Sequence, residues 1–188
     1  MKFSNRPSVC LETKDDKKVW ASRSVAVIGE VVCCIDTPKG REVYILMIKR
    51  GKACPNEVGK WCLPCGYLDW DEDAADAVKR ETWEETGINI DSVITDAKVV
   101  LCNFLSYRQP WLVMSEPDKD EFQNVCLHFG LAVRMESLPI ITGQAGGEKD
   151  ECEEISWVNV EEVKSLDVCF NHKERITEFL VHLMTTRK

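Results

Sequence analysis

A chain of 188 residues with ten cysteines, 44% hydrophobic and 30% charged residues has the size and balance of one soluble globular domain with an adequate core. Its formal net charge of -8 argues against broad electrostatic attraction to nucleic acid or an anionic membrane. It leaves room for a phosphorylated small molecule, because bound divalent cations reverse the local sign. The N-terminal stretch MKFSNRPSVCLETKDDKK lacks the apolar region of a secretory signal, and the longest apolar run, Val25 to Ile35, is interrupted by Glu30 and too short to span a bilayer. These features predict a cytoplasmic protein with no membrane attachment, whose cysteines are reduced thiols rather than a disulfide framework.

Residues 1–23 are polar and mixed in charge apart from Val9, Cys10 and Leu11, and are expected to form an arm or an edge strand. Residues 24–188 show no repeat, low-complexity segment or break in composition, so they read as a single domain. Ser24 to Thr37 is rich in Val and Ile and reads as a strand. Pro38-Lys39-Gly40 is a turn, and Glu42 to Arg50 is the antiparallel partner. Trp61 to Leu68 is short and extended, with Pro64 setting the turn that follows. Cys62-Leu-Pro-Cys65 has the spacing of half a zinc site, but no second such pair exists, and buried inert thiols are the expectation.

A helix is predicted over residues 71–86, with Asp71 as its N-cap and Gly87 as a left-handed C-terminal cap. At 100° per residue, Glu81, Glu84 and Glu85 fall within an arc of roughly 100°, beside an arc of Ala75, Val78 and Thr82 that can face a core. Glu72 and Arg80 are more than two turns apart and can pair only if the loop before the helix folds back. Carboxylates at such spacing repel by about 0.2–0.5 kcal/mol per pair, a cost small enough for an ordinary solvated face. Convergent carboxylate oxygens also suit hard cations such as Mg²⁺ or Mn²⁺.

Ala97 to Leu105 and Asn124 to Met135 read as further strands, with Val125, Leu127, Phe129, Leu131 and Val133 alternating. Between them, Ser106 to Gln123 has the length of a functional loop. Its Tyr107, Trp111 and Phe122 can each stack on a base or anchor the loop. Ile141 to Asp150 contains Gly143, Gly146 and Gly147, which predicts a mobile loop, and it leads through Glu148, Asp150, Glu151, Glu153 and Glu154 into a strand at Ile155 to Val158. Val160 to Leu166 suggests a short helix. Asn171 to Glu174 has the spacing of a capping box for a last helix with an apolar stripe of Ile176, Phe179, Leu180, Leu183 and Met184. None of His128, His172 and His182 has the spacing of a metal pair.

The residues Gly66, Glu72, Arg80, Glu81, Glu84, Glu85, Gly87 and Ile88 resemble, in register, the signature of the Nudix hydrolases, G-x5-E-x7-R-E-U-x-E-E-x-G-U, where U is a bulky apolar residue. Thr82 departs from the aliphatic residue usual at the first U, and Cys65 from the usual preceding glycine. The resemblance implies an α+β fold, a Nudix-type α/β/α sandwich with a mixed sheet. It also implies a Mg²⁺-dependent hydrolase, with Mn²⁺ as an alternative cation, that cleaves the pyrophosphate bond of a nucleoside diphosphate linked to another group, such as a nucleotide sugar, ADP-ribose or a dinucleotide.

In that reading Glu81, Glu84, Glu85 and Arg80 are the catalytic set. Glu81, Glu84, Glu85 and the Cys65 carbonyl are the metal ligands, while Gly66, Glu72 and Gly87 are structural. Arg50 and Trp111 become candidates for binding substrate, and one of the carboxylates from Glu148 to Glu154 for a further ligand or general base. Gln109-Pro110-Trp111 and Ser115 faintly echo a specificity motif of Nudix NADH pyrophosphatases. Family members often form homodimers, to which residues 1–23 can contribute. The alternative from another class is a catalytically silent Nudix domain that senses a nucleotide; the four intact motif glutamates favour the enzyme. A third reading, removal of pyrophosphate from RNA 5′ ends, would want a basic approach path, and the net charge of -8 makes it less attractive.

Overall fold

The computed structural model describes residues 9–14, 18–21, 24–106, 108–115, 124–147 and 149–185. Strands β1 (Val9–Glu12) and β2 (Lys18–Ala21) pair with each other as a separate two-stranded ribbon. The body of the protein is one eight-stranded sheet built from β3 (Val25–Thr37), β4 (Gly40–Arg50), β5 (Trp61–Cys62), β6 (Cys65–Tyr67), β7 (Val99–Asn103), β8 (Leu112–Met114), β9 (Val125–Met135) and β10 (Cys152–Asn159). The main order is β10-β4-β3-β9-β7, with β5 added on β4, β6 on β3 and β8 on β9. β3 and β9 run parallel while the other pairings are antiparallel, so the sheet is mixed.

The long strand β3 explains the layering. Side chains alternate across a sheet, so Val27, Val31 and Cys33 enter one apolar cluster and Ile28, Val32 and Cys34 the other. Being buried on both faces, the strand reads as an almost continuous apolar run. On the first face it meets helices α1 (Ala74–Thr86) and α2 (Ile90–Asp96) through Ala75, Ala77, Val78, Ile90 and Val93. On the second it meets α3 (His172–Thr185) through Ile176 and Phe179, and a 3-10 turn (Glu162–Ser165) through Val163. Fully buried Phe179 lies on Gly130, where any side chain would collide with its ring. This is the expected α+β sandwich.

Several local expectations are corrected. Helix α1 starts at Ala74, not at residue 71. Asp71 takes φ 64 in the preceding turn, and Asp73 becomes the N-cap, accepting from the backbone N–H of Ala75 and Asp76 at 3.0 Å each. Asn171 has φ 58 rather than the extended backbone of a capping box, and Met184, 73% exposed, lies outside the packed stripe of α3. The loop after β7 contains an unforeseen strand, β8, and the seven-residue helix α2 is new. Asn89 caps α2 by accepting from Ser92 N–H at 3.0 Å. The left-handed cap at Gly87 holds, with φ 73.

Candidate active site

Helix α1 lies on the sheet through Ala75, Ala77, Val78 and Thr82, and this orientation turns its acidic arc toward β6 and the loop before β10. Thr82, where an aliphatic residue is usual, is 1% exposed, but its hydroxyl is satisfied by its own helix, donating to the Val78 carbonyl at 2.7 Å. Gly29 opposite leaves room for it; a Cβ there would stand 2.9 Å from Thr82 Oγ1.

The loop does fold back. Arg80 Nε donates to Glu72 Oε2 at 3.1 Å and Nη2 to Glu72 Oε1 at 2.8 Å, a two-pronged pair, and Nη2 also donates to the Tyr67 carbonyl at 3.1 Å. Glu72 Oε1 in turn accepts from Asp69 N–H at 2.9 Å. The guanidinium holds Glu72 below the usual carboxylate range. Arg80 Nη1 donates to Glu81 Oε1 at 2.8 Å and Glu84 Oε2 at 2.9 Å. One cation therefore ties three motif glutamates together and fastens the loop to the helix.

Glu85 sits deepest, 3% exposed, and accepts from Cys65 N–H at 2.9 Å. Burial pushes its carboxyl well above the ordinary value, and the neighbouring Cys65 thiol and the charges of Glu81 and Glu151 push the same way. Burial also raises Glu81, against the opposing pull of Arg80. The Glu81 carboxylate lies over Gly66, where any Cβ would overlap it. Of the acidic run before β10, Asp150 and Glu151 use their carbonyls to hold Ala53 and Gly51 at 3.1 and 2.7 Å. Glu153 faces outward to Lys49 at 2.8 Å, and Glu151 is the member whose charge bears on both Glu81 and Glu85. Glu148 lies outside the described residues. The loop expected to be mobile is fastened to α1: Ala145 and Gly146 N–H donate to the Glu84 carbonyl at 2.8 and 3.0 Å.

The chemistry of this donor set fits a divalent cation. Buried Glu85 has one backbone donor and two acidic neighbours, a desolvated negative charge that a cation would relieve. Gly66 keeps the approach to Glu81 open, and the Cys65 backbone lies beside Glu85. Among the described residues, no three acidic, thiol or imidazole side chains already close around an ion; Arg80 bridges Glu81 and Glu84 instead.

Arg50 and Trp111 are engaged elsewhere. Arg50 is 8% exposed, donates to the Asn56 carbonyl and Oδ1 at 3.1 and 3.0 Å, and stacks over Phe170 at 4.9 Å. Trp111 lies on the α3 face, its ring centroid 5.3 Å from that of Phe179 and 5.6 Å from that of His182, and its N–H donates to buried Glu30. These contacts describe a loop anchor. Tyr107 and Phe122 lie outside the described residues. Arg108, which the sequence marks only as part of the Arg108-Gln109-Pro110-Trp111 tip of a functional loop, reaches Asp73 and Asp76 and ties that loop to the start of α1. No periodicity signals such a pair between distant segments.

The NUDIX domain model matches residues 28–179, a span that begins in β3, ends in α3 and contains Gly66, Glu72, Arg80, Glu81, Glu84, Glu85 and Glu151. The chain belongs to the Nudix hydrolase family. Among curated Nudix relatives, phosphatase NudJ of Escherichia coli strain K12 is 30% identical over 132 residues, 70% of this chain and 69% of that protein. Nudix hydrolase 19, chloroplastic, of Arabidopsis thaliana is 30% identical over 163 residues, 87% of this chain but only 31% of that protein's length. A solved structure of a bifunctional NMN adenylyltransferase/ADP ribose pyrophosphatase from Francisella tularensis, complexed with AMP and a Mn ion, superposes with a TM-score of 0.63 at 24% identity, covering 86% of this chain and 42% of that one. At that identity the likeness speaks for the Nudix fold alone.

Proposed function

We propose that this chain is a Mg²⁺-dependent pyrophosphohydrolase of a nucleoside diphosphate linked to a second group, with Mn²⁺ able to substitute. The observation that carries the reading is the buried, under-compensated Glu85 beside Glu81 and Gly66, held by an intact Arg80–Glu72 brace. The ADP ribose pyrophosphatase named in the Francisella structure, and its Mn ion, support the substrate class and the cation type.

Glu81 and Glu85, with the Cys65 carbonyl, would hold the cation, which when bound supplies charge neutralisation on the diphosphate oxygens. Glu85 is oriented by Cys65 N–H and Glu81 by Arg80. Glu84 and Glu151 border the same space and are the groups we assign to orienting the attacking water and taking its proton. Water adds to one phosphorus, the bridging P–O bond breaks, and two phosphate monoesters leave. Arg80 opposes the effect of burial on Glu81 and holds Glu84 through a second hydrogen bond, without itself giving up a proton.

The test is product release from ADP-ribose, NADH, nucleotide sugars, dinucleoside polyphosphates and nucleoside triphosphates, with and without Mg²⁺, for the wild type and Glu85→Gln. Metal-dependent cleavage of a diphosphate-linked substrate is expected, at least ~100-fold lower in Glu85→Gln with folding unchanged. Binding of a nucleotide without turnover of any member would reject the hydrolase in favour of a sensing domain.

A further inference from the structure

Five of the ten cysteines gather where β4 and β5 meet the segment leading into α3. Cys62 and Cys169 are buried together beside Ile48, with Cys65 and Cys152 packed against them, and the charge of Arg50 bears on Cys54, Cys62, Cys65 and Cys169. The backbone brings one pair into line. Trp61 N–H donates to the Asp167 carbonyl at 2.8 Å, Cys169 N–H donates to the Trp61 carbonyl at 3.0 Å, and Trp61 and Val168 form a parallel bridge. One step further along both chains stand Cys62 and Cys169. Neighbouring strands run about 4.8 Å apart, inside the roughly 4.4–6.8 Å separation of α-carbons that a disulfide accepts. The two side chains pack in one buried cluster, and the Cys169 thiol donates to the Trp61 carbonyl at 3.5 Å.

We propose that Cys62 and Cys169 form a dithiol that hydroperoxides oxidise to an intramolecular disulfide. The Cys169 sulfur attacks the peroxide O–O bond: an S–O bond forms, the O–O bond breaks, and with hydrogen peroxide the thiol proton leaves with the departing oxygen as water. The Cys62 sulfur then attacks the Cys169 sulfur. The S–S bond forms, the S–O bond breaks, and the hydroxyl leaves with the Cys62 proton as a second water. Two thiols lose two electrons and two protons, and the peroxide is reduced to two waters.

The order of attack follows from the surroundings. Cys62 is fully buried, whereas Cys169 keeps a small exposed surface, 4%. Cys169 also adjoins Phe170, which is 41% exposed, so a water-sized oxidant has a short path. Cys65, which packs against the same cluster, is the competing partner, but Pro64 and the pairing of Cys65 with Ile28 fix it in a different strand. This inference does not depend on the hydrolase reading.

The experiment treats the full reduced chain with hydrogen peroxide, blocks free thiols and maps peptides without reduction. Wild type and Cys65→Ser should yield a peptide pair joined from Cys62 to Cys169, lighter by two hydrogens and released by dithiothreitol. Cys62→Ser and Cys169→Ser should not. The bridge closes most of the domain into one loop, so oxidised wild type should also unfold at higher urea than reduced wild type. A Cys62–Cys65 bridge, oxidation confined to exposed Cys10, or no bridge in folded wild type would overturn the proposal.

Discussion

Gly66 matters through what it lacks. The Glu81 carboxylate occupies the space that a Cβ on residue 66 would need, so Gly66→Ala must turn either Glu81 or the β6 backbone. Displacement of about 1 Å in a catalytic constellation can cost on the order of 100-fold. The expected result is a fall in kcat/KM of about that size with little change in melting temperature, read by steady-state kinetics beside thermal unfolding; undiminished activity would remove Glu81 from the reacting centre. At this scale the sequence was most informative where the partners are local. Glu81, Glu84 and Glu85 lie on one helix, and the helical period places them together without any knowledge of the sheet. Arg50 and Trp111 were opaque for the opposite reason. Their partners, Phe170 for one and Glu30 and Phe179 for the other, come from segments far away in sequence, and a side chain's type does not reveal which distant surface receives it.

Among the elements, the link between α3 and the turn before the motif carries a testable titration. His172, 4% exposed, accepts through Nδ1 from Leu63 N–H at 3.0 Å, two residues before Cys65. Burial lowers its pKa from 6.5 to about 3. A base whose folded value is depressed contributes stability above its unfolded value and loses it as pH falls toward the folded value. The window is therefore from about 6.5 down to about 3, with a slope of at most ~1.4 kcal/mol per pH unit. His172→Asn keeps an acceptor for Leu63 and removes the titration, so its stability relative to wild type should improve steadily across that window in urea melts at successive pH values. Parallel curves would show that His172 does not govern acid unfolding. The helix α1 itself was readable except for its first turn, because Asp69 to Asp73 spend their backbone on turning Glu72 back to Arg80. That reversal is tertiary, and local capping preferences cannot foresee it. Helix α2, only seven residues long, offers too few turns for a periodic signal.

Across the whole molecule, the raised carboxyls of Glu85 and Glu81 mean that the metal-free fold favours their protonated forms. Their contribution to stability is present near and below the ordinary value of 4.5 and is lost as pH rises through the raised values. A divalent cation requires the ionised forms and reverses that loss. The rise in melting temperature on adding Mg²⁺ or Mn²⁺ should therefore grow as pH increases above 4.5 and shrink markedly in Glu85→Gln. A pH-independent rise, or one retained in the variant, would place the cation elsewhere. The class of the fold could be read from the alternation of apolar strands with an amphipathic helix. The order of strands could not, because pairing partners are chosen by the packing of both sheet faces together.

The parallel pair at the centre of that sheet has a consequence for how the protein comes into being. Each residue of β3 from Val25 to Ile35 meets the one 100 positions on, from Val25 with Val125 to Ile35 with Met135. The motif helix, the turn at Pro64 and the first helical layer all lie inside the loop this pairing closes. Such distant contacts are slow to form, since the entropy of closure is lost before any contact rewards it. On a ribosome, the entire motif would emerge well before β9 exists to seat β3. The carboxylates are thus synthesised early and assembled late, and the capacity for catalysis is decided by the second half of the chain.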